Sequence, residues 1–205
     1  MKIKLYVMIF CCLFLNTFST TYAYRSPNNE PLPFEKLYFE YGYKSVDDAV
    51  LEFEKHFNRD IELPVMLPPI AFTHVFGQCH IDTDHKINDS LRIEYVSDNR
   101  IVAAPNHYVI EIRPATQKHK EIIRKRNVIR TYELDGGIKA IYGTMFNGRI
   151  NTLVFERSGW QYWLWVNKRI ENKMPADTLF EIANSIGLET KYKEKLLKLS
   201  RSTNG

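Results

Sequence analysis

Three glycine-bearing turns constrain this chain more than any other feature. Asp135-Gly136-Gly137, Phe146-Asn147-Gly148 and Arg157-Ser158-Gly159 cut residues 128–167 into four short runs. Glycine accepts the positive φ that tight hairpins require, so each triplet reverses a strand rather than ending a helix. The runs are rich in β-branched and aromatic residues, and they predict an antiparallel meander over 128–134, 138–144, 149–156 and 160–167. Upstream, Leu91, Ile93 and Tyr95 alternate with Arg92, Glu94 and Val96. Tyr108, Ile110 and Ile112 alternate in the same way with Val109, Glu111 and Arg113. Period-two patterning predicts half-buried strands near 91–97 and 107–113. Pro68-Pro69 enforces an extended approach to a further strand near 71–79.

Helical signals bracket these strands. Ser45 is an N-cap with Asp48 three residues on, and Val46, Ala49, Val50, Phe53 and Phe57 repeat at helical spacing. Near the other end, Pro175 precedes the stripe Leu179, Ile182, Ala183 and Ile186, and Gly187 suits a left-handed stop. Thr190 can open a lysine-rich helix carrying Tyr192, Leu196, Leu197 and Leu199. The pattern predicts one α+β domain: a curved antiparallel sheet, a meander of about seven strands, with N-terminal and C-terminal helices packed on one face. The domain spans residues 45–188. An extended arm (24–44), rich in proline up to Pro33, precedes it, and a basic helix with a frayed tail (189–205) follows.

Residues 1–23 have the layout of a cleavable secretory signal. Lys2 and Lys4 precede the apolar run from Leu5 to Leu15, and Thr21-Tyr22-Ala23 supplies small residues for a cut after Ala23. The run is short of the about 20 apolar residues that a membrane span needs. Phe10 and Cys11, which precede Cys11 and Cys12, are poor for lipid attachment at either cysteine. Removing the signal leaves Cys79 as the one cysteine, so the expected secreted protein holds its core without an internal disulfide. The formal net charge of +4 falls to +2 once Lys2 and Lys4 are gone, which is no footprint for nucleic acid.

Chemistry-bearing residues are few. Cys79-His80-Ile81-Asp82-Thr83-Asp84-His85 brings two imidazoles and two carboxylates together, and His80, Asp82, Asp84 and His85 are ligand types that zinc accepts. Their spacing matches no metal motif, and Asp82 and Asp84 also suit Asx turns in a strand connection. Cys79 with His74, His80 or His107 is the one conceivable thiol–imidazole pair. No nucleophile elbow, His-Glu-x-x-His, phosphate loop or dinucleotide glycine pattern occurs. The aromatic run 160–166 is the least ordinary segment. In a strand, Trp160, Tyr162, Leu164 and Val166 share the core face, and Trp163 and Trp165 project from the other. Either a helix covers those two indoles, or the arm does so with Phe34, Leu37, Tyr38, Phe39 and Tyr41, or they form a platform for an apolar ligand, a glycan or a partner.

The stretch from Val128 to Gly187 resembles an uncharacterised extracytoplasmic domain of unknown function. The segments that carry the likeness are RTYEL from Arg130, GGIKAIY from Gly136, LVFE from Leu153, GWQY from Gly159 and IANSI from Ile182. With Leu63-Pro64 and Leu67-Pro68 upstream, it spans roughly residues 45–187. The domain occurs in Gram-positive secreted proteins, lipoproteins and anti-sigma-factor-like membrane proteins. The resemblance implies a bent sheet cupping helices, similar to lipoprotein carriers, and brings no chemistry with it.

Together these features point to a secreted or cell-envelope binding module that is not an enzyme and needs no cofactor. Its partner would be an envelope protein, a lipid or a wall polymer. Membrane-surface contact would run through Lys191, Lys193, Lys195, Lys198 and Arg201. The alternatives are a metal-assisted hydrolase centred on 79–85 and an immunity or inhibitor-type protein that pairs through its edge strands.

Overall fold

The computed structural model describes residues 34–84, 88–98, 106–118 and 123–188. The signal segment and its cut after Ala23, the lead-in 24–33, His85 and the basic stretch 189–205 lie outside the described residues.

All seven expected strands form: β1 (His74–His80), β2 (Ser90–Val96), β3 (His107–Pro114), β4 (Val128–Leu134), β5 (Ile138–Met145), β6 (Ile150–Arg157) and β7 (Trp160–Asn167). They build one open antiparallel sheet in the order β1-β2-β3-β7-β6-β5-β4. It contains two meanders, β1–β3 and β4–β7, which meet where β7 lies beside β3. Glu111 faces Trp163 across that seam. The connection after β3 must therefore travel to the far edge before β4 begins.

The turns follow the expected chemistry. Gly136 and Gly137 have φ of 87° and 74°, and Asn147 and Gly148 have 56° and 79°. Both lie in the left-handed region that these residue types tolerate best.

Helix α1 (Phe34–Glu40) is a difference from the expected extended arm. Phe34 and Tyr38, four residues apart, both reach Phe76 of β1, with centroids at 6.4 and 4.2 Å. That tertiary contact organises a segment whose composition alone reads as extended. Helix α2 (Val46–Phe57) begins at Ser45, whose side chain accepts from the Asp48 amide at 3.1 Å. It ends at Asn58 in the left-handed conformation. Helix α3 (Ala176–Asn184) follows Pro175.

Ala49 and Phe53 of α2 and Leu179, Ile182 and Ala183 of α3 are buried in one cluster with Leu91, Ile93, Ile110, Leu153, Tyr162 and Leu164. Each large apolar side chain buried there contributes about 1.5–3 kcal/mol. Phe53 lies 5.5 Å from Trp160, whose indole N–H donates to the Asp60 carbonyl at 3.1 Å. The Tyr162 hydroxyl donates to the Glu62 carbonyl at 3.0 Å. The chain leaving α2 is thus pinned to the start of β7. Gly77 lets α2 come close, since a Cβ there would sit 2.6 Å from that of Ala49. Arg157 closes the other end. Its buried guanidinium donates to the carbonyls of Ile186 (2.5 Å), just past α3, and of Ala183 (3.3 Å), in its last turn.

Candidate functional site

Alternation along β7 puts Trp160, Tyr162, Leu164 and Val166 among the apolar cluster and Trp163 and Trp165 on the reverse face. On that face Trp163 sits between Glu111 and Val154, and Trp165 between Val109 and Thr152. Both indoles are half-buried. A guanidinium lies over each ring: Arg113 is 5.5 Å from the Trp163 centroid, and Arg92 is 5.3 Å from that of Trp165. Such contacts strengthen where water is partly excluded. His107 meets Trp165 edge-on at 5.1 Å.

Carboxylates hold these cations in place. Arg92 Nε lies 2.6 Å from Glu94, and His107 Nε2 lies 3.0 Å from the second oxygen of the same carboxylate. The Tyr43 hydroxyl also donates to Glu94. Burial by itself pushes the Glu94 carboxyl up. The bonds from His107 and Tyr43 and the charge of Arg92 outweigh it and hold the group below its ordinary range. One strand further, Arg113 Nη2 donates to Glu111 at 2.7 Å. Glu94 is 4 % exposed, so a residue whose alternation reads as solvent-facing is in fact buried. The available signal was alternating charge sign along β2 and β3, which lets neighbouring side chains neutralise one another when covered.

Two walls flank the indoles. On one side Phe34 and Tyr38 of α1 cover Phe76. On the other, Lys118 pairs with Glu156 at 2.8 Å, and the segment entering β4 crosses Gly143. A Cβ on Gly143 would lie 2.7 Å from Ile123 Cγ2, so this approach requires glycine. The arm covers the β1 end of the face, and its aromatic rings engage Phe76 and His74. Trp163 and Trp165 remain half-buried between the walls, under the arginines.

The 79–85 segment is divided rather than assembled. Cys79 is half-buried on the helix-facing side, opposite Leu91. Burial pushes its thiol up to about 11, against a nucleophile's needs. His74 and His107 lie on the other face, bound to Glu35 at 2.8 Å and to Glu94. By alternation His80 also lies on that face, so the sheet separates the thiol from every imidazole weighed as its partner. His80 ends β1 in an exposed position. Asp82 accepts from the Asp84 amide at 3.1 Å in an Asx turn, and the Asp82 amide donates to Asp89 at 2.7 Å. Gln117 clamps Asp89 in turn. Among the described residues, no three His, Cys, Asp or Glu side chains are grouped to hold a metal ion.

Searches of protein-family models, curated proteins and solved structures return no match to this chain.

Proposed function

We propose that this protein is a non-enzymatic binding module of the cell envelope or secreted fraction, with its ligand surface in the Trp163–Trp165 trough. The observation that carries this reading is the pair of half-buried indoles, two residues apart on β7, each under a guanidinium anchored by a glutamate. Successive same-face residues of a strand lie about 6.5–7 Å apart, which sets the two indoles in a row, each with a guanidinium over its ring. Flat apolar faces beside fixed donors and acceptors suit a ligand that is itself two-sided, such as the sugar rings of a wall polymer. The signal-like segment 1–23 supports a location where that polymer occurs, as does the likeness of 45–187 to extracytoplasmic domains. With α2 and α3 on the opposite face, α1 and the segment entering β4 bound the trough, and the two half-buried indoles are the part of it that a ligand would reach.

The test is the double variant Trp163→Ser with Trp165→Ser, assayed for cosedimentation with purified cell-wall polymer and for melting temperature. Loss of binding with a retained cooperative melt is the expected result. Unchanged cosedimentation ends the reading. Edman sequencing of secreted protein should begin at Tyr24, and an intact Met1 on a cytoplasmic species would remove the envelope location.

A further inference from the structure

β1 is an outer strand of the sheet. In an antiparallel ladder, alternate residues turn their N–H and C=O toward the neighbouring strand and away from it. Gly77 turns away from β2: its N–H donates to the Lys44 carbonyl at 2.9 Å, and its carbonyl accepts from the Lys44 N–H at 2.8 Å. Val75, two residues earlier, points its backbone the same way, and its N–H and C=O have no hydrogen-bond partner among the described residues. After Lys44 the chain turns into α2, so no described residue continues the pairing toward Val75, which is 43 % exposed.

A groove of about 340 Å³ opens beside this free position, lined by Leu67, Pro68, Ile70, Phe72, Val75 and Tyr95. Leu67 is 50 % exposed, and Val65 and Met66 are exposed next to it. An unpaired edge beside exposed apolar side chains is a hazard that proteins usually blunt. Here Lys44 blunts Gly77 and stops.

We propose that the Val75 edge and its groove dock an extended peptide segment of a partner protein. Val75 supplies the two main-chain hydrogen bonds of one strand residue, and the groove takes an apolar side chain of the peptide. The unpaired N–H and C=O select a polypeptide over a lipid, because only another main chain offers the complementary pair at strand spacing. Lys44 on Gly77 is the same contact made internally. The free stretch also disfavours a second copy: Lys44 occupies Gly77 in both chains, which leaves too little edge for two β1 strands to pair.

Panning a random heptapeptide library on the full mature chain tests this, with enriched peptides re-measured as synthetic capped peptides. Enriched peptides should carry an apolar residue flanked by strand formers and should shift the Val75 amide resonance. Val75→Pro removes the free N–H without touching the bonds to β2, and it should weaken binding about tenfold or more at unchanged melting temperature. Leu67→Asp, at an exposed site, should do the same through the groove. N-methylation of the peptide residue opposite Val75 should also abolish binding. The proposal falls if no peptide enriches, or if enriched peptides bind both variants as well as wild type. It also falls if the chain instead dimerises in a concentration-dependent manner that Val75→Pro abolishes.

Discussion

Ile93 and Glu94 are neighbours in β2, and both are almost wholly buried, yet they are buried by different means. Ile93 lies in a continuous apolar layer with Ile110, Leu164 and Phe53, where loss of water is itself the stabilisation. Glu94 lies on the reverse face among Arg92, His107 and Tyr43, where loss of water is a cost that three partners offset. The same contrast runs across the seam, with Ile110 and Leu164 on one side and Glu111, Arg113, Trp163 and Trp165 on the other. Apolar burial is tolerant of partner identity and makes the domain stable. Paired charges and half-covered indoles add little net stability, but they fix positions and leave hydrogen-bonding capacity near the surface. That contrast is why the proposed ligand surface is placed on the second face.

This contrast can be broken most forcefully at Ile182, which has no exposure in the apolar layer. Ile182→Asp should cost on the order of 3–5 kcal/mol in urea unfolding, and wild-type stability would put α3 in solvent. A somewhat smaller loss, about 3 kcal/mol, is expected from Arg113→Met, which strands the Glu111 carboxylate. Adding Glu111→Leu should recover most of it, because an apolar pair can replace a buried ion pair at little net cost. Failure to recover would mean the charges are structurally required on this face.

Third in size is the pair of indoles. Trp163→Ser or Trp165→Ser should each cost about 1–2 kcal/mol, well below the ~3–5 kcal/mol of Trp160→Ser in the core. Equal losses at all three positions would show that β7 is a core strand on both sides. The smallest effect concerns pH. Since the folded Glu94 carboxyl is held below its ordinary value, its stabilising contribution is present above the unfolded value of about 4.3. It is lost as pH falls through the folded value. Urea midpoints of wild type and Glu94→Gln should therefore differ at pH 7 and converge in acid. Parallel curves across that range would mean that Glu94 gains nothing from His107, Tyr43 and Arg92.

Local grammar explains what could be read in advance and what could not. The glycine turns, the Ser45 cap and the period-two runs each involve residues within a few positions of one another, so the sequence displays them directly. Helix α1 was missed because its reason to be helical is Phe76, far along the chain. The trough was half-read. Alternation separates Trp163 and Trp165 from Trp160, but the same rule assigns Glu94 and Glu111 to solvent, and both are buried. The 79–85 cluster misled in the opposite sense, since residues adjacent in a strand point to opposite faces. There, proximity in sequence placed Cys79 and His80 on different sides of the sheet.

Strand content, hairpin positions and the division of β7 into two faces were thus determined by the sequence itself, because turn dihedrals and side-chain period are properties of neighbouring residues. Only the tertiary structure decided that β7 lies beside β3, that the segment entering β4 crosses Gly143, and that Arg92 and Arg113 settle over the indoles. The backbone ladder hydrogen-bonds in the same way whatever side chains it carries. The choice of neighbour is therefore made by how well whole faces can be covered, and that is a property of the assembled sheet.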